Sequence, residues 1–129
     1  MLRVEMRVLV VDDFPTMRRI LKNVLKQINM YNTLEAGNGK EALDLLRKEK
    51  IDLIICDLLM PEMTGMELLQ ACKDDPQISH IPFIMVTAEA QKKAVMEAIK
   101  AGVDNYITKP FTPERLADAI RKVMAKTGK

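Results

Sequence analysis

Residues 8–28 read VLVVDDFPTMRRILKNVLKQI, and this stretch decides the fold of the chain. It opens on four apolar, mostly β-branched residues, a pattern typical of a strand that is covered on both faces of a parallel sheet. After Asp12 and Asp13, apolar residues recur at helical spacing with basic residues between them. These positions are Met17, Ile20, Leu21, Val24, Leu25 and Ile28. The stretch therefore predicts a strand that is followed directly by a helix.

The same alternation of strand and helix patterns repeats along the chain. The predicted strands are residues 33–36, 53–56, 83–86 and 105–108, and the predicted helices lie about residues 42–46, 65–73, 91–101 and from 112 onward. The last strand is more polar, so we expect it at an edge of the sheet. Gly102 is placed to end the fourth helix and Thr112 to begin the fifth. Five strands alternating with five helices predict a single α/β domain with a doubly wound parallel sheet.

Composition narrows the class of protein. At 129 residues the chain has the size of one domain, and 48% hydrophobic with 29% charged residues is typical of a globular protein. The apolar runs are too short to span a bilayer or to form a secretory signal, so we expect a cytoplasmic protein without membrane contact. A net charge of +2, with Lys and Arg spread along the chain, does not favour nucleic-acid binding. Nothing in the sequence requires more than a monomer.

The cysteines and the histidine do not predict a metal site. Cys56 and Cys72 follow no metal or redox spacing, and we interpret both as packing residues. His80 is the single histidine of the chain and precedes Pro82 in a predicted turn. We therefore interpret it as a solvated loop residue.

Polar residues follow four of the predicted strands at the point where each strand ends. Asp12 and Asp13 follow the first strand, and Asp57 follows the third. Thr87 ends the fourth strand, and Lys109 follows the fifth. The carboxyl ends of parallel strands share one end of the sheet, where ligands bind in this architecture. Three carboxylates in one crevice repel one another unless a cation neutralises them, and Mg²⁺, which takes carboxylate, water and phosphate oxygens, suits this set.

With a cation in place, these residues support the transfer of a phosphoryl group. An ionised Asp57 can attack phosphorus and form an aspartyl phosphate. Such a transfer depends mainly on positioning and on neutralising the oxygens of the transferred group. Lys109 can supply a positive charge there, and the hydroxyl of Thr87 can donate a hydrogen bond to a phosphoryl oxygen.

Each of these residues also has a purely structural interpretation. Asp12 and Asp13 can serve as acids at the start of the first helix, and Asp57 can be a loop carboxylate. Thr87 can cap the fourth helix, and Lys109 can be a surface lysine. These interpretations do not explain why the five residues fall together at the predicted carboxyl ends of four strands.

Five strings of the sequence resemble the receiver domains of two-component response regulators, and among them the single-domain chemotaxis regulators of the CheY type. They are VVDDF at 10–14, TMRR at 16–19, Asp57 with Met60-Pro61, VTAEA at 86–90 and KPFT at 109–112. The resemblance runs from about residue 6 to the C-terminus. It implies a flavodoxin-like fold with the strand order 2-1-3-4-5, and these regulators are a known example of that fold. It also implies one receiver domain over residues 1–129 without an output domain, so we expect output by binding in trans.

The resemblance implies a role for each residue of the acidic site. Asp57 is expected to accept a phosphoryl group from a phosphohistidine on a sensor kinase of the CheA type, or from a small donor such as acetyl phosphate. The expected ligands of Mg²⁺ are Asp12, Asp13, Asp57 and the backbone carbonyl of Leu59. The chain is then a phosphoacceptor switch that assists its own phosphorylation and dephosphorylation, and not an enzyme in the ordinary sense.

The resemblance also implies how the phosphoryl group is read. Thr87 and Lys109 match the residues that sense and bind it, and Tyr106 matches an aromatic residue that moves inward on activation. The bond between Lys109 and Pro110 resembles one that is usually cis. Phosphate on Asp57 would draw Thr87 toward it and let Tyr106 turn inward, which reshapes the surface of the fourth helix, fifth strand and fifth helix.

The output surface that the resemblance implies lies on the fourth helix and the loop before it. Its residues are Glu89, Ala90, Lys92, Val95 and Ile99, together with Tyr106. A flagellar motor switch protein of the FliM type would dock there. Val95 and Ile99 form an i,i+4 apolar pair that core packing would explain equally well.

Leu59 departs from the pattern of the chemotaxis regulators. It lies two residues after the acceptor and is apolar where the best-known of these regulators carry Asn, whereas Glu89, two residues after Thr87, is retained. A bulky apolar group can shield an acyl phosphate from water, so we hypothesise slower self-dephosphorylation. The use of a phosphatase that engages Asn is also put in doubt.

Three other functions fit parts of the pattern. A phosphorelay intermediate would pass its phosphate to another histidine protein. A flavodoxin-type electron carrier has the same chain organisation, but Asp12 and Asp13 would repel a flavin phosphate. A haloacid-dehalogenase-like phosphatase also uses an Asp nucleophile and Mg²⁺, but its nucleophile usually follows the first strand, with a second Asp two positions later.

Overall fold

The computed structural model describes residues 6–126. Five strands and five helices alternate along this range, as the hydrophobic periods predict. The strands are β1 Val8–Val11, β2 Thr33–Ala36, β3 Leu53–Cys56, β4 Phe83–Thr87 and β5 Asn105–Thr108. The helices are α1 Pro15–Gln27, α2 Gly39–Lys48, α3 Gly65–Asp74, α4 Lys92–Ala101 and α5 Pro113–Lys126. Residues 127–129, expected after the last helix, lie outside the described range.

The strands form one parallel sheet in the order β2-β1-β3-β4-β5. This order confirms the doubly wound α/β fold and places β5 at an edge, as its more polar sequence predicts. β1 pairs with β3 so that Val11 is opposite Cys56. β4 pairs with β5 so that Thr87 is opposite Thr108. The residues that follow β1 and β3 therefore leave the carboxyl end of the sheet side by side.

Alternate residues of the central strands point to opposite faces of the sheet, and each face has its own core. α2 and α3 pack on one face, where Leu9, Ile54 and Phe83 are buried. α1 and α5 pack on the other face, where Val10 and Ile55 are buried. The apolar stripe of α5 is buried throughout, at Leu116, Ala119, Ile120, Val123 and Met124. A sheet covered on both faces explains why the central strands are apolar except for Thr87 at the end of β4.

Local signals fix the ends of the helices. The side chain of Asn38 accepts the backbone N–H of Glu41 and caps α2. Thr64 and Glu67 form a reciprocal capping box at the start of α3. Gly102 ends α4 with a φ of 102°, a left-handed conformation that confirms the predicted cap.

Two details differ from the sequence pattern. α4 begins one residue later than expected, because Gln91 has an extended backbone and serves as the N-cap. Ile20, expected in the apolar stripe of α1, is 44% exposed, since the buried residues of that helix begin one position later at Leu21. Among residues 6–126, no helix is long and apolar enough to cross a membrane.

The cysteines and the histidine occupy the environments expected of them. Cys56 and Cys72 are free and buried. Burial raises the pKa of Cys56 well above its usual value and raises the pKa of Cys72 to about 11. Both thiols are therefore protonated at neutral pH, which fits a packing role. His80 lies in an exposed turn.

Candidate functional site

The strand ends meet at the carboxyl end of the sheet. Asp57 follows β3 and donates its backbone N–H to the carbonyl of Val11 at 3.0 Å. Lys109 follows β5 and donates its backbone N–H to the carbonyl of Thr87 at 2.8 Å. These bonds continue the ladder of the sheet by one residue. The side chains of Asp57 and Lys109 therefore start from main chain that the sheet holds in place.

Lys109 joins two carboxylates. Its Nζ lies 3.1 Å from Oδ2 of Asp12 and 3.1 Å from Oδ2 of Asp57. Asp12 and Asp57 are only 1% and 6% exposed, so the two ionic hydrogen bonds are shielded from water. The side chain of Lys109 is itself 16% exposed, which contradicts the interpretation as a surface lysine.

Burial and charge act against each other at this site. Burial raises the pKa of Asp12, and its hydrogen bonds from the Phe14 N–H and from Lys109 offset only part of that rise. Burial alone would lower the pKa of Lys109. The hydrogen bonds and negative charges of Asp12 and Asp57 outweigh burial and raise that pKa. Lys109 is therefore a fixed cation at neutral pH.

The three aspartates form a cluster that fits a divalent cation. Asp12, Asp13 and Asp57 each offer a carboxylate oxygen, and these oxygens lie within 4.8 Å of one another. Oδ1 of Asp13 is buried and has no hydrogen-bond partner among the described residues. A buried carboxylate oxygen without a donor is unfavourable, and a cation between the three carboxylates would balance it. A hard ion with oxygen ligands, such as Mg²⁺, fits this donor set.

Leu59 lies at the rim of the cluster. Its backbone N–H donates to Oδ1 of Asp57 at 3.2 Å. The residue is 54% exposed. The carboxylate of Asp57 is thus held by Leu59 at one oxygen and by Lys109 at the other. The use of the Leu59 carbonyl as a metal ligand stays a prediction.

A second set of hydrogen bonds connects Thr87 with Tyr106 through Glu89. Oγ1 of Thr87 accepts the backbone N–H of Glu89 at 3.3 Å. The hydroxyl of Tyr106, a half-buried residue, donates to the carbonyl of Glu89 at 2.7 Å. Thr87 is fully buried, and the N-cap of α4 is Gln91, so the interpretation of Thr87 as the cap of that helix is wrong.

Asp12 and Asp13 do not serve as the first acids of α1. The N-cap of α1 is Phe14, and the first turn of the helix holds no acidic residue. Oδ1 of Asp12 accepts the backbone N–H of Phe14 at 3.0 Å and so shapes the loop that leads into the helix. The side chains of both aspartates instead contribute to the carboxylate cluster with Asp57.

The predicted docking residues lie outside the acidic cluster, on α4 and on the loop before it. Ala90 and Lys92 are exposed. Ile99 is 56% exposed, whereas Val95 is half-buried. The exposure of Ile99 therefore shows that core packing does not explain this member of the i,i+4 pair.

Gly65 is a residue of the site that the sequence patterns did not single out. A Cβ at this position would overlap the backbone carbonyl oxygen of Asp57 and would lie 2.8 Å from Cα of Leu58. Gly65 also donates its N–H to the carbonyl of Leu58 at 2.8 Å. The start of α3 thus lies directly against the main chain of Asp57. The sequence signal that could have identified Gly65 is its place at the start of a predicted helix, where no predicted turn requires a glycine.

Comparison with known proteins agrees with this geometry. The family model described as response regulator receiver domain matches residues 8–121. The chain is 45% identical over 121 residues to the chemotaxis protein CheY of Pseudomonas aeruginosa, which covers 94% of this chain and 98% of that protein. It is 48% identical over 120 residues to the chemotaxis protein CheY homolog of Campylobacter jejuni, which covers 92% of each chain.

Solved structures give the same result. The chemotaxis protein CheY4 of Vibrio cholerae superposes with a TM-score of 0.84 at 33% identity and covers 92% of this chain and 98% of that one. A CheY-like response regulator receiver domain protein of Methanospirillum hungatei superposes with a TM-score of 0.86 at 28% identity and covers 95% and 96%.

Proposed function

The chain belongs to the response regulator receiver domain family, and from that membership we propose that Asp57 accepts a phosphoryl group from a CheA-type histidine kinase in a Mg²⁺-dependent reaction. The observation that carries the proposal is the position of the Asp57 carboxylate. Its Oδ2 lies 3.1 Å from Nζ of Lys109, and the carboxylate belongs to a cluster of three. Asp57 thus lies between the ammonium group of Lys109 and the proposed cation site, which together would place two positive charges beside it. A transferred phosphoryl group requires such charges around its oxygens.

In the proposed reaction, an oxygen of Asp57 attacks the phosphorus of a phosphohistidine. The P–N bond breaks, the imidazole leaves with the bonding electrons, and Asp57 becomes an aspartyl phosphate. Mg²⁺, held by Asp12, Asp13 and Asp57 with the Leu59 carbonyl, would supply positive charge to the phosphoryl oxygens. Lys109 supplies the second charge. Acetyl phosphate would react in the same way, with acetate as the leaving group.

The phosphoryl group is then read through Thr87. Its hydroxyl donates to a phosphoryl oxygen, and its movement toward Asp57 perturbs the bond that it accepts from Glu89. The carbonyl of Glu89 holds the hydroxyl of Tyr106. Phosphorylation therefore shifts the populations of Tyr106 and of the start of α4, rather than creating a new fold.

The output is binding in trans to a FliM-type flagellar motor switch protein. Ala90, Lys92 and Ile99 are exposed around α4 and would form the docking face with Val95. The names of the chemotaxis relatives support a chemotaxis role for this chain. The proposal takes the chain as a cytoplasmic monomer, one receiver domain over residues 1–129, with a phosphatase as a further partner.

One experiment separates this role from that of a phosphorelay intermediate. Protein labelled by a CheA-type kinase is presented to an immobilised FliM-type switch protein and, separately, to a histidine phosphotransfer domain. We expect phosphorylation-dependent binding to the switch protein and no onward transfer of label. Ile99→Asp should weaken that binding without slowing phosphorylation. Ile20→Asp, the same change at an exposed isoleucine of α1, should leave that binding unchanged.

Onward transfer of the label to histidine would contradict the motor role. Equal loss of binding in Ile99→Asp and Ile20→Asp would contradict the docking face on α4. A flavodoxin-type electron carrier gains no support, because Asp12 and Asp13 occupy the end of the first strand, where a flavin phosphate would need donors.

A further inference from the structure

Arg18 of α1 contacts the acidic site through the main chain. Its Nη1 donates to the backbone carbonyl of Asp12 at 2.6 Å. Its Nε donates to Oε1 of Glu35 on β2 at 2.9 Å. Oε2 of the same Glu35 accepts from Nζ of Lys22 at 2.9 Å. The Arg18 side chain, only 18% exposed, is thus fixed between the edge strand and the loop that carries the acids.

The carbonyl that Arg18 holds belongs to the peptide unit between Asp12 and Asp13. The main chain of Asp12 is also bonded to β2, since the backbone N–H of Asp12 donates to the carbonyl of Ala36 at 3.2 Å. The side chain of Asp12 is held by Lys109. Oδ1 of Asp13, by contrast, has no hydrogen-bond partner in residues 6–126. The position of the Asp13 carboxylate therefore depends on the peptide unit that Arg18 holds.

We propose that Arg18 is a positioning residue for the cation site, and that its bond to the Asp12 carbonyl sets where the carboxylate of Asp13 lies. This inference rests on the proposed use of the three aspartates to hold Mg²⁺. A guanidinium suits the task because its planar donors reach two acceptors in a fixed geometry, which an ammonium does not reproduce. Hydrogen bonds from Lys22 and Arg18 lower the pKa of Glu35, so the anchor on β2 is ionised at neutral pH.

Charge and position predict opposite effects of removing Arg18. A cation near three carboxylates repels a bound metal ion, so loss of its charge alone would strengthen Mg²⁺ binding. Loss of the hydrogen bond to Asp12 would free the peptide unit before Asp13 and weaken Mg²⁺ binding. Lys22 is a matched control, because it carries the same charge on the same helix and pairs with the same carboxylate of Glu35, while Nη1 of Arg18 makes the bond to Asp12.

The test measures Mg²⁺ affinity by titration calorimetry, without any phosphodonor, for wild type, Arg18→Met and Lys22→Met. Arg18→Met should raise the dissociation constant for Mg²⁺ about tenfold, because substitution of a residue that supports metal ligands typically weakens metal binding by about this factor or more. Lys22→Met should leave it unchanged or lower. Circular dichroism in EDTA checks that each metal-free variant is folded at the temperature of the titration, so that weaker binding reports the site and not unfolding.

Arg18→Lys keeps the charge and provides a second variant should Arg18→Met not fold. It should also weaken Mg²⁺ binding, because one ammonium does not hold both acceptors in the same geometry. Equal or tighter binding by the Arg18 variants, or an equal loss in Lys22→Met, would overturn the positioning role and leave the cation site intact. A wild type that binds no Mg²⁺ would overturn the cation site and, with it, the role of Arg18.

Discussion

Leu59 illustrates how a single residue can set the behaviour of the site. Its backbone N–H donates to a carboxylate oxygen of Asp57, which keeps Leu59 beside the proposed phosphoacceptor. Leu59 is 54% exposed, so the size of its side chain affects access to the site rather than packing of the core. An apolar side chain cannot orient a water molecule for attack, whereas the amide of Asn can. The lifetime of the aspartyl phosphate should therefore depend on this side chain.

Leu59→Asn should shorten that lifetime several-fold, because it exchanges a shielding group for one that binds water. The measurement is the rate of phosphate release after the phosphodonor is removed. Glu62→Asn is the control, since it places the same amide in the same loop, at a residue whose φ of 68° Asn adopts readily. An unchanged rate in Leu59→Asn, or an equal increase in Glu62→Asn, would count against shielding by Leu59.

At the scale of elements, the connection from β3 to α3 positions Asp57, the proposed phosphoacceptor. The N–H of Gly65 at the start of α3 binds the carbonyl of Leu58, and Thr64 caps the helix together with Glu67. The helix therefore rests against the main chain of Asp57 with no room for a Cβ at Gly65. Because the opposing atoms belong to the backbone, a side-chain rotation cannot relieve the overlap.

Gly65→Ala should lower the free energy of unfolding by about 1–3 kcal/mol, the usual effect of overpacking, and should slow phosphorylation of Asp57 by displacing its main chain. Gly39→Ala is the matched control at the first residue of α2. There the new Cβ would overlap Sδ and Cγ of Met63, which rotation of that side chain can move, and would lie 2.9 Å from its Cβ, which requires a small shift of the main chain. Urea unfolding and phosphorylation by acetyl phosphate check both variants. A larger effect in Gly39→Ala than in Gly65→Ala would refute the close approach.

At the scale of the whole molecule, the sheet separates the packing residues from the charged residues of the proposed site. The central strands are buried on both faces by two cores, and the charged cluster lies where those strands end. Carboxylates that repel one another destabilise the fold locally, and the two cores offset this. Such an arrangement lets the acidic residues be placed for chemistry rather than for packing.

The sequence allowed much of this arrangement to be predicted for a physical reason. Strands buried on both faces are apolar up to their last residues, and the ends of parallel strands must meet at one end of the sheet. Gly65 and Arg18 were not predicted, because both act on main-chain carbonyls that come within reach only after packing. The exposure of Ile20 was missed because helical period alone does not tell which border of an apolar stripe faces solvent.

The central claim is that Asp57 is the phosphoacceptor in a Mg²⁺-dependent reaction. The most direct measurement is the intact mass of wild type and Asp57→Asn after incubation with acetyl phosphate and Mg²⁺, and again with EDTA. Asn has nearly the same shape as Asp but lacks the nucleophilic carboxylate. We predict the gain of one phosphoryl group in the wild type with Mg²⁺, and no gain in Asp57→Asn or with EDTA. No gain in the wild type, or an equal gain in both proteins, would contradict the claim.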